Sequence, residues 1–334
     1  MKLEKYKNNP ILSPNERNDW ESLCVLNPGV YYDNGVFYML YRAAGHDETH
    51  YIRLGLATST DGYNFTRASD KPVLEPDYNG LDGGIEDPRI IKIGDYFYVT
   101  YAARAYPTGQ YWRPDCKPPY TSPLGGPRFT TVNNTLSYLA ITRDFKTFKK
   151  LGRITDSRTE NRDVLLFPEK VNGKYALITR PMDYVGPKFG CEAPSIWISF
   201  SDDMMEFHKH KLLMKGEQWW ETKKIGGSCP PIKTEFGWFF LYHGVSARDD
   251  GYRVGAVLLD LKNPAKVIAR TKDFIMEPEH DYETKGFYNG CVFPTGNVVV
   301  DGKLFVYYGA ADHYCCVATC DFSELLNHLK KDKR

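Results

Sequence analysis

The sequence of 334 residues has no long apolar run and no excess of charge of either sign. A membrane-spanning helix needs about 20 consecutive apolar residues, and no such run is present. Lys and Arg number 43 against 42 Asp and Glu, so the chain has no overall field that would attract nucleic acid or an anionic membrane. We therefore expect no binding to nucleic acid or membranes, and any anion site must come from a local cluster.

The sequence also lacks the cysteine and histidine spacings that are typical of zinc sites, and it has no nucleotide-binding glycine loop. Its eight cysteines form no Cys-x-x-Cys pair. We expect reduced, mostly buried thiols, with no metal or other cofactor. The charged first seven residues are followed by no apolar stretch, so a secretory signal is not expected and a cytoplasmic location is.

Helical periodicity is almost absent. The segment Ser323–Lys330 is predicted to be a short C-terminal helix, with Ser323 as its N-cap. Aromatic residues make up 14% of the chain, including 24 tyrosines. Such residues are typical of β-strands and of surfaces that stack on sugars. The chain is therefore predicted to be almost entirely β.

What the sequence does contain is one pattern that occurs five times. A short apolar strand, a turn with glycine and an aromatic strand follow one another, and most copies continue with a third strand. Asn34-Gly35 and Asp301-Gly302 are typical β-hairpin turns. The copies begin near residues 29, 89, 164, 230 and 292.

Four strands in a repeat of roughly 60–80 residues are typical of a propeller blade. The chain, residues 1–334, is therefore predicted to be one all-β domain, a five-bladed β-propeller with a short C-terminal helix. A pair of β-sandwiches would not explain a five-fold recurrence. The repeats are also too long to be the rungs of a β-helix.

Loops and strand ends of all blades of a propeller converge at one mouth of its central channel. Polar residues lie at equivalent edges of the five copies, namely Asn27, Arg42, Glu86, Asp87, Arg89, Arg162, Asp163, Arg180, Lys224, His243 and Asp312. A surface ion pair would explain any one of them. Their recurrence at one blade position indicates a shared site of carboxylates and basic residues.

Carboxylates beside such a basic cluster are typical of glycoside chemistry. An inverting glycosidase uses one carboxylic acid to protonate the leaving oxygen and a second carboxylate to activate water. In phosphorolysis, phosphate is itself the nucleophile. An anion site of Arg, Lys and His then takes the place of the second carboxylate.

Several separated motifs resemble glycoside hydrolase family 130, the inverting β-mannoside phosphorylases and related β-mannosidases. They are Glu86-Asp87-Pro88-Arg89, Asn161-Arg162-Asp163, Thr179-Arg180-Pro181, Trp219-Trp220-Glu221 with Lys224, Tyr242-His243-Gly244, and Ala310-Ala311-Asp312. The resemblance runs from Asn27 to Asp312. It implies the propeller fold and an activity on β-mannoside oligosaccharides.

The resemblance also implies a role for each matching residue. Asp87 matches the general acid, which acts through a hydroxyl of the sugar. The terminal mannose is held by Asn27, Arg42, Glu86 and Asp312. Phosphate is bound by Arg162, Arg180, Lys224, His243 and Tyr252. Because this basic cluster is complete, the resemblance favours phosphorolysis with inorganic phosphate as co-substrate.

Two other functions stay open. An inverting exo-β-mannosidase needs a second carboxylate, for which Glu160, Glu192 and Glu221 are the candidates. Each of them is equally explained as a solvated glutamate in a polar loop. A non-catalytic glycan-binding propeller needs no acid, so its affinity would survive the loss of Asp87.

Two segments depart from the family pattern. Gly226–Pro231 differs from the Gly-x-Gly-Pro expected after the lysine, and the irregular stretch Arg104–Val132 is longer. Loops of that length tend to be functional or disordered. Its aromatic residues are Tyr106, Tyr111, Trp112 and Tyr120. We expect this stretch to form an aromatic wall of the substrate cleft, a contact in a homo-oligomer or a mobile flap. The cleaved linkage, the leaving sugar and the oligomeric state are left open.

Overall fold

The computed structural model describes residues 1–77, 83–110, 113, 115 and 132–332. In this part of the chain, 21 strands form five antiparallel sheets. Each sheet is a consecutive stretch of sequence, apart from one strand described below. The sheets are the five blades of a β-propeller, so the predicted fold is confirmed.

The strands of each blade are numbered from the central channel outwards. Blade I contains β2 (Cys24–Asp33), β3 (Val36–Ala44), β4 (Arg53–Ser59) and β5 (Thr66–Arg67). Blade II contains β6 (Ile85–Ile93), β7 (Tyr96–Arg104), β8 (Thr135–Thr142) and β9 (Lys149–Arg153). Blade III contains β10 (Asn161–Leu166), β11 (Tyr175–Pro181), β12 (Ile196–Ser201) and β13 (His208–Met214).

Blade IV contains β14 (Lys224–Gly227), β15 (Ile232–Thr234), β16 (Gly237–Val245), β17 (Tyr252–Leu259) and β18 (Val267–Arg270). Its inner edge is split because Pro230 and Pro231 have no amide hydrogen to donate, so β14 and β15 pair with β16 separately. Blade V contains β19 (Val292–Val300), β20 (Lys303–Ala310) and β21 (Tyr314–Asp321). The inner strands of blades I–IV begin a few residues before the expected positions, because each strand extends further toward the N-terminus than the repeated sequence pattern.

The outer strand of blade V comes from the other end of the chain. β1 (Glu4–Lys5) pairs with β21, with Glu4 opposite Thr319 and Lys5 opposite Ala318. The N-terminal segment thereby completes the last blade and closes the ring. A two-residue strand has no periodicity of its own, so the sequence pattern did not predict it.

Short hairpins connect β2 to β3 and β19 to β20. Asn34 and Gly35 have φ angles of 50° and 83°, and Asp301 and Gly302 have 49° and 77°. Positive φ at both central residues is the type I′ turn, whose twist matches that of the flanking strands. The predicted hairpins are therefore confirmed at these two turns.

Helices are few in the described part of the chain. Two 3-10 helices span Asp19–Glu21 and Trp219–Glu221, and two α-helices span Asp281–Thr284 (α1) and Phe322–Lys331 (α2). None of these is long and apolar enough to cross a membrane. The predicted N-cap of α2 was wrong: the Asp321 carboxylate, and not Ser323, accepts the Glu324 amide at 2.8 Å. Asp321 lies at the end of β21, where the chain is still extended as an N-cap requires.

The core consists of apolar layers between neighbouring blades. Between blades V and I, for example, Val25, Met39 and Tyr41 pack with Tyr307 and Val317, and all five are fully buried. Such layers join each sheet to the next around the ring. This arrangement holds the inner strands, and the polar residues at their ends, in fixed positions around one axis.

Candidate active site

The inner strands of blades I, II and III share one irregularity near their N-terminal ends. Their pairing with the second strand shifts register between Leu26 and Gly29, between Glu86 and Arg89, and between Arg162 and Leu165. Each bulge holds a polar residue with a left-handed backbone: Asn27 (φ 46°), Asp87 (φ 53°) and Asp163 (φ 58°). Asn and Asp tolerate this conformation better than most residues. A bulge re-aims its side chain, and here it turns three polar groups toward one mouth of the channel.

A cavity of about 220 Å³ lies where these strand ends meet. Eight of the ten residues predicted for the site line it, namely Asn27, Arg42, Asp87, Arg162, Arg180, Lys224, Tyr252 and Asp312. The other two, Glu86 and His243, are 2% and 0% exposed and lie outside its lining. The structure thus brings residues from all five blades to a single cavity.

Asp87 is held from two sides on one of its carboxylate oxygens. Asn27 Nδ2 donates to Asp87 Oδ1 at 2.7 Å, and an Arg42 guanidinium nitrogen donates to the same atom at 3.0 Å. Among the described residues, no hydrogen bond engages Oδ2 of Asp87. The carboxyl group is therefore fixed in orientation while its second oxygen is left for a ligand.

The pKa values of two further acids near Asp87 are shifted in opposite directions. Burial by itself would raise the pKa of Glu86, but Arg42, Arg104 and Arg162 lower it to about 2. Burial raises the pKa of Asp312 to about 6; Arg42 opposes this rise and Asp87 adds to it. Glu86 is therefore negatively charged at neutral pH and forms an ion pair with Arg42, whereas Asp312 gains a proton in mildly acidic solution.

Three cations from blades III and IV also line the cavity, namely Arg162, Arg180 and Lys224. The Arg180 Nε donates to Asp163 Oδ2 at 2.6 Å, and the Arg162 Nε donates to Glu160 Oε1 at 2.7 Å. Burial and the nearby Arg180 lower the pKa of Lys224 to about 8, while Asp163 opposes this shift. Cations crowded so closely at a buried wall favour an anionic ligand, which relieves their mutual repulsion.

His243 lies within the protein behind this wall. Its Nδ1 is 3.2 Å from Ser228 Oγ and its Nε2 is 3.6 Å from Asp163 Oδ2. Burial lowers the pKa of His243 to about 3, so the imidazole is neutral at neutral pH. His243 therefore adds a hydrogen-bonding group but no charge, and its phosphate-binding role stays a prediction.

Glycine at position 226 makes this arrangement possible. A Cβ at Gly226 would lie 2.4 Å from Asp163 Oδ2 and 2.6 Å from the His243 ring. Both distances are far shorter than van der Waals contact, so a larger residue would displace Asp163 or His243. The segment that departs from the expected Gly-x-Gly-Pro pattern thus keeps a glycine where the packing requires one.

A family model described as beta-1,4-mannooligosaccharide phosphorylase matches residues 2–121 and 128–331 of the sequence. The chain belongs to glycoside hydrolase family 130. The resemblance noted in the separate motifs therefore extends over nearly the whole chain.

Named members of family 130 cover the full length of the chain. A 1,2-beta-oligomannan phosphorylase from Thermoanaerobacter sp. (strain X514) is 38% identical over 333 residues, covering 97% of this chain and 99% of that protein. A beta-1,4-mannooligosaccharide phosphorylase from Ruminococcus albus is 30% identical over 337 residues, covering 98% and 90%. The chain is thus similar to family members named for two different linkages.

A solved family 130 structure has the same fold. The beta-1,2-mannobiose phosphorylase from Listeria innocua, in complex with beta-1,2-mannobiose, superposes with a TM-score of 0.80. It is 28% identical, and the alignment covers 99% of this chain and 100% of that one.

The three candidates for the second carboxylate of a family 130 hydrolase lie in different places. Glu160 lines the cavity, where it is paired with Arg162. Glu221 is fully buried and bound to Arg270 and Tyr242, and Glu192 lines a separate surface cavity. Of the three, Glu160 alone lines the cavity.

The sequence reasoning named Arg89 in a motif but gave it no role. It is 3% exposed and links three blades, donating to the Asp87 carbonyl at 3.0 Å, to Asp163 Oδ1 at 3.2 Å and to the Ser228 carbonyl at 2.8 Å. Its place directly after an Asp-Pro bulge is the signal that could have revealed it. Met182, Tyr288, Cys291 and Phe293 also line the cavity and were not predicted.

Of the four aromatic residues predicted to form a wall in the stretch Arg104–Val132, Tyr106 lies within the described residues. Tyr106 is 5% exposed and exchanges two hydrogen bonds with the Asn133 side chain through its backbone. It packs into the protein rather than against the cavity. Tyr111, Trp112 and Tyr120 lie outside the described residues, so the wall stays a prediction.

Proposed function

We propose that this chain is an inverting β-mannoside phosphorylase. It transfers a non-reducing β-mannosyl residue to inorganic phosphate and releases α-mannose 1-phosphate together with a shortened sugar. The observation that carries the proposal is the composition of the cavity. Its lining holds the Asp87 carboxyl from blade II together with Arg162, Arg180 and Lys224 from blades III and IV.

The proposed reaction is a single displacement at the anomeric carbon. A phosphate oxygen held by the three cations attacks that carbon from the face opposite the glycosidic oxygen, and the bond to the glycosidic oxygen breaks. Asp87 supplies the proton that this oxygen takes up, relayed through a sugar hydroxyl. Because phosphate is the nucleophile, no second carboxylate is needed, and the configuration inverts from β to α.

The residues around Asp87 hold the mannosyl group in this proposal. Asn27 and Arg42 fix the Asp87 carboxyl by donating to Oδ1. Glu86 keeps Arg42 in place through an ion pair of 3.1 Å, and Asp312 accepts from sugar hydroxyls. On the phosphate side, Tyr252 lies beside Lys224, whose Nζ is 5.1 Å from the centre of its ring. His243 lies behind these groups, where its Nε2 is 3.6 Å from Asp163 Oδ2.

The substrate that we propose is β-1,2-linked. The Thermoanaerobacter relative named for the 1,2 linkage is 38% identical to this chain, whereas the Ruminococcus relative named for the 1,4 linkage is 30% identical. The superposed structure also holds a β-1,2-linked ligand.

The test is incubation with β-1,2-mannobiose and with β-1,4-mannobiose, each with and without phosphate. We expect mannose 1-phosphate from the β-1,2 substrate and a strict need for phosphate. Proton NMR of the fresh product distinguishes the α from the β anomer. Equal release of free mannose without phosphate would contradict phosphorolysis, and faster turnover of the β-1,4 substrate would contradict the linkage alone.

Asp87→Asn tests the acid. The variant keeps the size and the hydrogen-bond acceptor but cannot give up a proton, so we expect turnover to fall by about 100-fold or more. Asp95→Asn, in the exposed hairpin of the same blade, is the matched control. If Asp87→Asn retained the turnover of the control, another group would be the acid.

Glu160 supports an inverting β-mannosidase as a second candidate function, because its carboxylate lines the cavity. A hydrolase would need Glu160 as its base, and Glu160→Gln would abolish mannose release. A phosphorylase does not need that base, so Glu160→Gln keeps a phosphate-dependent reaction. The variant therefore separates the two functions.

A further inference from the structure

A three-residue pattern of aromatic, Glu and Ser or Thr precedes the inner strands of three blades. The copies are Trp20-Glu21-Ser22 in blade I, Trp220-Glu221-Thr222 in blade IV and Tyr282-Glu283-Thr284 in blade V. Each copy lies in or at the end of a short helical turn. The hydroxyl groups of Ser22, Thr222 and Thr284 each donate to a backbone carbonyl three or four residues earlier, at 2.9, 3.3 and 3.0 Å.

The glutamate of each copy binds a tyrosine of the second strand of its blade. Glu21, Glu221 and Glu283 are all 0% exposed. They accept the hydroxyl groups of Tyr41, Tyr242 and Tyr308 at 2.9, 2.8 and 2.8 Å. The same side chains therefore join the helical turn to the same strand in three blades.

A cation from the outer strand of the blade completes each group. Arg67 of β5 lies 2.8 Å from Glu21, Arg270 of β18 lies 2.7 Å from Glu221, and Lys5 of β1 lies 2.8 Å from Glu283. A buried carboxylate is tolerated because it is paired and hydrogen-bonded. Each Glu–Tyr–cation group therefore ties the turn, the second strand and the outer strand of one blade to one another.

In two of these groups the tyrosine directly precedes a residue predicted for the site. In blade I, Tyr41 directly precedes Arg42, and the turn that holds Glu21 leads into Asn27. In blade IV, Tyr242 directly precedes His243, and Lys224 follows Glu221 by three residues. In both blades the buried glutamate is thus bonded to the second strand one residue before a predicted site residue.

We infer that Glu21 and Glu221 are positioning residues for the two halves of the reaction. Glu21, through Tyr41, positions Asn27 and Arg42 on the mannosyl side. Glu221, through Tyr242, positions Lys224 on the phosphate side. This division rests on the proposed function, because it assigns blade I to the sugar and blade IV to phosphate.

Burial keeps the two tyrosines as hydrogen-bond donors. It raises the pKa of the Tyr41 hydroxyl, and the adjacent Glu21 carboxylate raises it further; burial likewise raises the pKa of Tyr242. Each hydroxyl therefore carries its proton throughout the range in which an enzyme assay is run. Removing that hydroxyl removes one defined bond without adding a titrating group.

The experiment compares Tyr41→Phe and Tyr242→Phe, each of which deletes one hydroxyl and keeps the ring. We expect Tyr41→Phe to raise the KM for the mannoside about fivefold, with the KM for phosphate unchanged. Tyr242→Phe has the opposite effect, raising the KM for phosphate alone. Tyr307→Phe is the matched control, because its fully buried hydroxyl donates to the Gly62 carbonyl at 2.9 Å, away from the cavity. It leaves both KM values unchanged.

A merely structural role predicts a different result. In that case the two variants lower thermal stability as Tyr307→Phe does and leave both KM values unchanged, or raise both together, and either outcome overturns the inference. Glu21→Gln raises the KM for the mannoside and Glu221→Gln raises the KM for phosphate, each by more than the corresponding Phe variant. If the Gln variants do not fold, the Phe variants alone test the inference. A wild-type enzyme that needs no phosphate overturns the proposed function instead, and this is seen before any variant is made.

Discussion

At the scale of single residues, the charge of each cavity group depends on how deeply it is buried and on which groups face it. Glu86 and Asp312 are both buried acids near Arg42, yet the pKa of Glu86 is about 2 and that of Asp312 is about 6. Burial raises the pKa of both groups. Three arginines overcome this rise at Glu86, whereas at Asp312 the effect of Arg42 is offset by Asp87 and Glu86. An identical chemical group thus becomes a fixed anion in one place and a proton acceptor in another.

Lys224 gives a prediction at this scale. Its pKa of about 8 means that it loses its charge as the pH rises through that value, so the phosphate site loses one of its three cations. We expect the KM for phosphate to rise about tenfold one pH unit above this pKa. The KM for the mannoside, measured at saturating phosphate over the same pH range, is not affected.

Lys224→Arg is the control, because an arginine stays protonated throughout this range. The variant has a KM for phosphate that is flat above pH 8. A rise that persisted in Lys224→Arg would come from another group and would contradict the assignment.

Residue identities in the cavity could be predicted from the sequence, but their charge states could not. The motifs around Asp87, Arg162 and Lys224 are local and can be matched without a fold. The neutral state of His243 depends on its complete burial behind Asp163, which comes from a different blade. A pKa that depends on contacts between blades has no signal in any one segment of sequence.

At the scale of secondary structure elements, the bulges of the inner strands determine where the polar groups point. The hairpin turns at Asn34-Gly35 and Asp301-Gly302 could be predicted, since a type I′ turn is specified by its own two residues. The bulges at Asn27, Asp87 and Asp163 could not, because a bulge is defined by its register with a partner strand.

Gly309 gives a prediction at this scale. A Cβ at this position of β20 would lie 1.9 Å from Asn27 Oδ1, so Gly309→Ala forces the Asn27 side chain out of its bulge position. Asn27 then no longer donates to Asp87, and leaving a buried polar group without its hydrogen bond costs about 1–3 kcal/mol. We expect kcat/KM for the mannoside to fall by about 10- to 100-fold.

Gly94→Asn is the matched control for Gly309→Ala. Gly94 has a φ of 59°, which Asn accepts, and a Cβ there meets nothing within 4 Å. The control keeps full activity. Unchanged kcat/KM in Gly309→Ala would show that Asn27 does not have to contact Asp87.

At the scale of the whole molecule, the ring is closed by a strand from the start of the chain. β1 contributes two residues to blade V, yet Lys5 within it reaches the buried Glu283 at 2.8 Å and the Glu277 carbonyl at 2.7 Å. The five-fold repeat could be predicted because each blade is continuous in sequence. The closure could not, because it joins segments at opposite ends of the chain.

Lys5 gives a prediction at this scale. Lys5→Met keeps the apolar stem but leaves Glu283 buried without its cation, which costs about 3–5 kcal/mol. We expect this loss in the free energy of unfolding measured in urea. Lys7→Met, at an exposed position two residues later, changes it by about 0.5 kcal/mol or less. If both variants were equally stable, backbone pairing of β1 with β21 would be sufficient to close the ring.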